Sequence, residues 1–248
     1  KKVKKILVAG CGTGRHAISI SMIDPSVKID AIDLSKKSLA YAYRKSEELN
    51  IKNINWIHGD ILDLESLRKR YDVIESVGVL HHMESPKKGL SVLSKILEAR
   101  GLLKLGLYSR TYRNKLKPAK KFLADNNYSR NLKSIQEARR QIIKSKEDNI
   151  KYPSIYMSDF YTTSAFVDLL IHEQELDFNI DDLVDLYKKE FNFLGFTITE
   201  QKKRQFDNSF KKIDVTDNEM ENWKKFIKKV EMRKHRESFT LLAKMIKT

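Results

Sequence analysis

An apolar run at residues 6–9 breaks, almost at the start of the chain, into glycines at positions 10, 12 and 14 and then resumes a helical pattern toward Ile18. Glycine reaches backbone conformations closed to other residues and lets a ligand come close to the main chain, while the helix that follows aims its free N–H groups at the same point. "ILVAGCGTGRHAI" is therefore a strand–turn–helix unit that holds a nucleotide-like ligand. It also commits the chain to a sheet whose first strand is buried on both faces.

The first hundred residues repeat that alternation, which predicts a parallel sheet covered on both faces. A helix is expected from about Thr13 to Met22, a second strand in "KIDAID", a third in "NINWIHGD", a fourth in "YDVIESVG" and a fifth in "GLLKLGLYS". Ser35 is placed to cap a helix with Leu39, Ala42, Tyr43 and Ser46 on one face. Ser85 and Pro86 open another, with Leu90, Leu93 and Leu97 buried and Gly101 at its end. From Arg110 to about Asn179 the chain turns helical and basic, with its best helices over 132–146 and 163–176. Asn179 or Asp181 caps "DDLVDLYKKE", "FNFLGFTIT" supplies a sixth strand, and Trp223, Phe226, Ile227 and Val230 form the stripe of an amphipathic helix. The resulting division is a core at 1–109, a helical substrate-covering insertion at 110–179, and a completion of the core at 180–248.

Composition narrows the class. No apolar window reaches the length of a membrane span, and a single cysteine, Cys11, excludes an internal disulfide framework, so a cytoplasmic, reducing setting is expected. A net charge of +15 invites a nucleic-acid partner, but the lysines are spread from end to end and no concentrated patch emerges. Nucleic acid is thus the less favoured partner. The start on "KKVKK", without an initiator Met, is expected of a piece of a longer protein.

The glycine spacing decides between two kinds of cofactor. A dinucleotide fingerprint needs its third glycine where this chain has Arg15. Asp33 ends the second strand, where a carboxylate accepts from both hydroxyls of a ribose; Asp60 follows the third, where it accepts from an adenine amine with Ile61 as an apolar wall. "ESVGVLHHM" closes the crevice at the end of the fourth strand. In order and spacing, these features resemble the class I S-adenosylmethionine-dependent methyltransferases over the core from Lys4 to Ser109. "GVLHHM", "GLLKLGLYS", "DFYTTSAFVDLLIHEQELDFNIDDL" and "FLGF" are similar to the methyltransferase domains that follow tetratricopeptide arrays in bacterial proteins, which implies such an array before residue 1.

The resemblance implies an α/β, Rossmann-like class I methyltransferase fold, a mostly parallel central sheet with helices on both faces and a helical insertion after strand five. It implies S-adenosylmethionine as cofactor, held by Gly10, Cys11, Gly12, Gly14 and His16 at the turn, by Asp33 and Leu34, by Asp60 and Ile61, and by Glu75, Ser76 and Val77. One position departs from the family. Many class I enzymes have an acid two residues before the first glycine, where it helps hold the methionine ammonium group, and this chain has Val8. The ammonium is then left to backbone carbonyls near Gly10 and Ser76, to Glu75, or to water.

Methyl transfer from a sulfonium asks the protein to align a nucleophile, exclude water and, for some acceptors, take a proton. His81 and His82, in the loop after the fourth strand, are the candidate bases, and Tyr108 at the end of the fifth is a candidate for orienting substrate. In the insertion, Asp168 and His172 share a helix face, with Glu173 beside the histidine; Arg139, His172 and Glu173 are candidates for substrate contact. Arg140, Arg110 and Arg113 also match an anionic group, against the plainer alternative of a solvated basic face. Cys11 reads as a small side chain beneath the cofactor, not a nucleophile. No metal is expected. The activity expected is methylation of an O or N nucleophile on a small or medium-sized substrate, with an RNA or protein methyltransferase, or a non-catalytic cofactor-binding module, as alternatives.

Overall fold

In a computed structural model, residues 3–171, 175–198, 200–210, 222–223, 225 and 240–248 are described. The strands are β1 (Lys5–Ala9), β2 (Lys28–Asp33), β3 (Ile54–His58), β4 (Tyr71–Val77), β5 (Leu97–Tyr108), β6 (Phe191–Phe196) and β7 (Thr240–Lys247). The helices are α1 (Arg15–Ile23), α2 (Lys36–Glu48), α3 (Pro86–Ile96), α4 (Arg110–Asp125), α5 (Leu132–Lys144), α6 (Asp148–Ile155), α7 (Thr163–Phe166), α8 (Ile180–Tyr187) and α9 (Glu200–Phe210). Two compact units emerge: Lys1–Leu107 with Ile180–Lys203 and Leu241–Thr248, and Tyr108–Asn179 with Arg204–Thr240.

The first unit is built on one sheet in the order β3-β2-β1-β4-β5-β7-β6, with β1 to β5 parallel and β6 antiparallel to β7. This is the mostly parallel, Rossmann-like sheet that the sequence predicts. The chain runs outward from β1 to β3, crosses back, and runs outward again from β4 to β5. Because crossovers between parallel strands are right-handed, that reversal puts α1 and α2 on one face and α3 on the other. It also leaves a crevice between the carboxyl ends of β1 and β4, the switch point at which open α/β sheets take their ligands. Leu7, Val8 and Ala9 of β1 are all buried, as a central strand requires.

Local signals explain the element ends. The Ser35 hydroxyl accepts from Ser38 N at 3.2 Å at the head of α2, and Ser85 accepts from Lys88 N at 3.3 Å at the head of α3, whose first turn holds Pro86. Tyr43 departs from its expected stripe and faces outward, while Leu39, Ala42 and Ser46 are buried. Gly101 is not a helix end. The helix stops at Ile96, and Leu97 passes straight into β5, which contains Gly101. Leu97 is fully buried in the strand, so the apolar residue that extends the Leu90–Leu93 spacing serves a strand equally well. The sequence reading also missed β7, a short apolar run whose periodicity does not separate strand from helix. Apart from Trp223, which is buried and stacked on Phe206 at 3.9 Å, the expected C-terminal stripe of Phe226, Ile227 and Val230 lies outside the described residues.

The second unit packs Leu116, Ala119 and Leu123 of α4 with Ile135, Ala138 and Ile142 of α5, both sets at helical spacing, around Phe160 and Phe166. The expected helix over 163–176 starts at Thr163 and widens without interruption from α7 into a π-helical stretch at Val167–Ile171; residues 172–174 lie outside the described residues. Beneath it lies a buried ionic cluster. The Arg113 guanidinium is bonded to Glu175 and sits 4.4 Å from the centre of the Tyr108 ring; Lys120 reaches Glu175 at 3.1 Å. Arg113 and Glu175 are almost wholly out of water, so each depends on the other for its charge.

Arg113→Met therefore strands the Glu175 carboxylate. We expect it to cost about 3 kcal/mol in chemical denaturation, the low end for severing a buried pair because Lys120 remains in place. A loss under about 1 kcal/mol would mean that the cluster carries no such energy.

Candidate functional site

The glycine turn is set by two carbonyl and carboxylate groups at the end of β2. Gly10 N and Cys11 N both donate to Ile32 O, at 2.8 and 2.9 Å, and Gly12 N donates to Asp33 Oδ2 at 2.7 Å. Gly10, Gly12 and Gly14 all have positive φ, +77°, +52° and +80°, a region costly for side chains. Their surroundings differ. A Cβ on Gly10 would collide with Val79, and one on Gly14 with Ala42 and the Trp56 ring at 2.6 Å, whereas one on Gly12 meets nothing within 4 Å. Two of the glycines are thus required by packing, and the middle one faces open space.

Around that space stand the strand-end acids. Asp33 Oδ1 accepts from Ser35 N at 2.8 Å, so each oxygen takes one N–H and keeps further lone-pair capacity for hydroxyl donors. Leu34 beside it is 67% exposed, a large apolar side chain held in water at the rim. Asp60 caps the 3-10 turn Ile61–Leu67, accepting from Leu62 N at 2.9 Å through Oδ1, and Ile61 is buried behind it. On β4, Glu75 lies with Oε2 2.6 Å from His16 Nδ1 and Oε1 3.6 Å from Lys104 Nζ. Burial pushes the Glu75 pKa up, but His16 and Lys104 outweigh it and hold the carboxyl below its ordinary range. Ser76 next to it is fully buried, and Val77 is partly exposed at the strand end. Open backbone at Gly12, ribose-type acceptors at Asp33 and an apolar wall with an acceptor at Ile61 and Asp60 fit an adenosyl group of the kind the sequence predicts.

Cys11 is buried with its Sγ 3.9 Å from Gly12 O. Burial first, and the Asp33 carboxylate second, push its thiol up to about 12, which removes it as a nucleophile. After β4, His81 and His82 form a 3-10 turn with Leu80, their rings 4.2 Å apart. His81 is fully buried, and His82 is partly buried with its Nε2 out of water.

In the second unit the substrate candidates take other employment. Tyr108 donates to Asp168 Oδ2 at 2.6 Å; burial first, then Asp168, raise its pKa, so the phenol stays protonated and serves as a donor, not a base. Arg139 donates to Phe160 O at 2.7 Å and to Thr162 O and lies over the Phe166 ring, so part of its guanidinium is taken up within the unit. Arg110 pairs with Asp177, Arg113 with Glu175 and Arg140 with Glu137. Asp168 lies on the π-helical turn, while His172 and Glu173 fall outside the described residues. The sequence reading did not single out Lys104 or Glu175, whose partners lie far away in the chain. Among the described residues no group of His, Cys, Asp and Glu is set to hold a metal ion, and no helix is long and apolar enough to cross a membrane. An open depression of about 470 Å³ lies at the amino ends of the strands, lined by Val3, Asp72 and Ile246, opposite the glycine turn.

A family model described as a methyltransferase domain matches residues 1–177. Over 201 residues the chain is 27% identical to an uncharacterized protein of Synechococcus, covering 78% of this chain and 48% of that protein. It is 32% identical over 110 residues to the mitochondrial ubiquinone biosynthesis O-methyltransferase of Schizosaccharomyces pombe, covering 44% of this chain and 39% of that protein. Among solved structures, PKMT2 from Rickettsia typhi superposes with a TM-score of 0.69 at 17% identity, over 99% of this chain and 48% of that one. The plantazolicin methyltransferase BpumL in complex with SAH superposes with a TM-score of 0.53 at 18% identity, over 100% of this chain and 77% of that one. At these identities the structural likeness is one of fold. The chain spans about half, or less, of the length of the curated relatives it matches.

The Cys11 environment makes a direct expectation. With its pKa moved from an ordinary 9.0 to about 12, the folded chain should react with iodoacetamide at pH 8 roughly a thousandfold more slowly than the denatured chain. Equal rates would show an accessible, ordinary thiol.

Proposed function

Since the chain belongs to the methyltransferase domain family, we propose that it binds S-adenosylmethionine along the glycine turn and passes the methyl group to an oxygen or nitrogen of a small or medium-sized acceptor. The observation that carries this reading is the conjunction at one sheet edge: open backbone at Gly12, with Asp33 and Asp60 closing the next two strands. The sheet is that of the Rossmann-like class I methyltransferases.

When bound, the cofactor supplies the methyl electrophile and its own thioether leaving group. The residues of this chain then have three tasks. Asp33 accepts the ribose hydroxyls with the lone pairs that Gly12 and Ser35 leave over; Ile61 and Leu34 flank the adenine, and Asp60 accepts from its amine. His82, the less buried of the two histidines after β4, takes the proton of an acceptor that must lose one. A relative named as an O-methyltransferase of ubiquinone biosynthesis supports an oxygen acceptor of that size. The polymer alternative is weakened by Arg110, Arg113, Arg139 and Arg140 of the insertion, which are engaged by carboxylates or by backbone carbonyls.

Calorimetry should find micromolar binding of S-adenosylhomocysteine, abolished by Gly12→Arg, which fills the open space, and weakened at least about tenfold by Asp33→Ala. The intact protein failing to bind would overturn the cofactor reading. In cell extract with labelled S-adenosylmethionine, label should enter small molecules; label in RNA or protein would overturn the acceptor class.

A further inference from the structure

The register of β1 and β4 bears on the cofactor's amino-acid end. Val8 stands where related enzymes place an acid, and its surroundings exclude a charge: it is buried in a cluster with Ile6, Ala17 and Ala31. Its partner on β4 is Glu75. Partners in parallel strands point to the same face about 4.8 Å apart. A carboxylate therefore stands at the level of Val8 and on the same face, one strand to the side, at the switch point of the sheet.

We infer that Glu75 has taken over from position 8 and receives the α-ammonium group of the cofactor, an inference that rests on the cofactor reading above. Three observations support it. The side chain is only 15% exposed, yet the group is held as a carboxylate by His16 at 2.6 Å and Lys104 at 3.6 Å. His16 meets Oε2, which is out of water, and Lys104 is beyond hydrogen-bond length from Oε1, so Oε1 keeps room for another donor. The other two acids of the sheet edge have different duties: Asp33 orders the turn and the head of α2, and Asp60 caps the turn after β3. His16, on the first turn of α1, acts as a positioning residue that fixes the carboxylate toward the glycine turn.

The ammonium group can be deleted from the ligand, which separates this role from a structural one. S-Adenosylhomocysteine carries it, and 5′-methylthioadenosine is the same nucleoside thioether without the amino-acid end. Titrating both into wild type, Glu75→Gln and Glu75→Asp, we expect Gln to weaken S-adenosylhomocysteine roughly ten- to a hundredfold and to leave 5′-methylthioadenosine within about twofold. The Asp variant, which keeps the charge and guards against loss of the fold in the amide, should fall between. Equal losses for both ligands, or no loss for either, would overturn the inference while leaving the cofactor reading intact. A wild type that binds neither ligand overturns both.

Discussion

One carboxylate fixes the geometry on which the rest of the sheet edge depends. Asp33 takes Gly12 N on one oxygen and Ser35 N on the other, so the turn after β1 and the first residues of α2 hang from the end of β2. Backbone N–H groups in so tight a turn have few other partners, and a turn with three residues at positive φ has little intrinsic reason to persist. In the reading proposed above, the same group that orders the turn also accepts the cofactor's ribose hydroxyls. An Asp33 substitution therefore unties the turn as well as removing an acceptor, whereas a Gly12 side chain enters open space and keeps the Asp33 bonds at the cost of strain at positive φ.

What was legible in the sequence followed from short-range chemistry. The alternation of apolar strands and capped helices, the Ser35 and Ser85 caps, and the acids at successive strand ends can each be seen within a few residues. What escaped depends on distance. Arg113 meets Glu175 and Tyr108 meets Asp168 some sixty residues apart, so spacing alone offered the arginines to a substrate when the fold had already engaged them. Leu97 misled for another reason: an apolar residue satisfies a helix face and a buried strand alike. Position 8 is the opposite case: the sequence posed the question and offered Glu75 among several answers, and the strand register sets Glu75 beside Val8.

The second unit shows how a basic chain makes use of its charge. Arg113, Lys120 and Glu175 form a cluster withdrawn from solvent, and Arg139 spends its donors on carbonyls. Such groups add directional bonds to the apolar packing of the helices.

Trp56 packs its ring against Gly14 and sends its indole N–H to Ser46 at 3.2 Å. The chain has two tryptophans, and this one lies beneath the turn. Its emission therefore reports on the glycine turn: a ligand that tightens the turn changes the polarity and rigidity around the indole, giving the protein an optical gauge of occupancy without an added label.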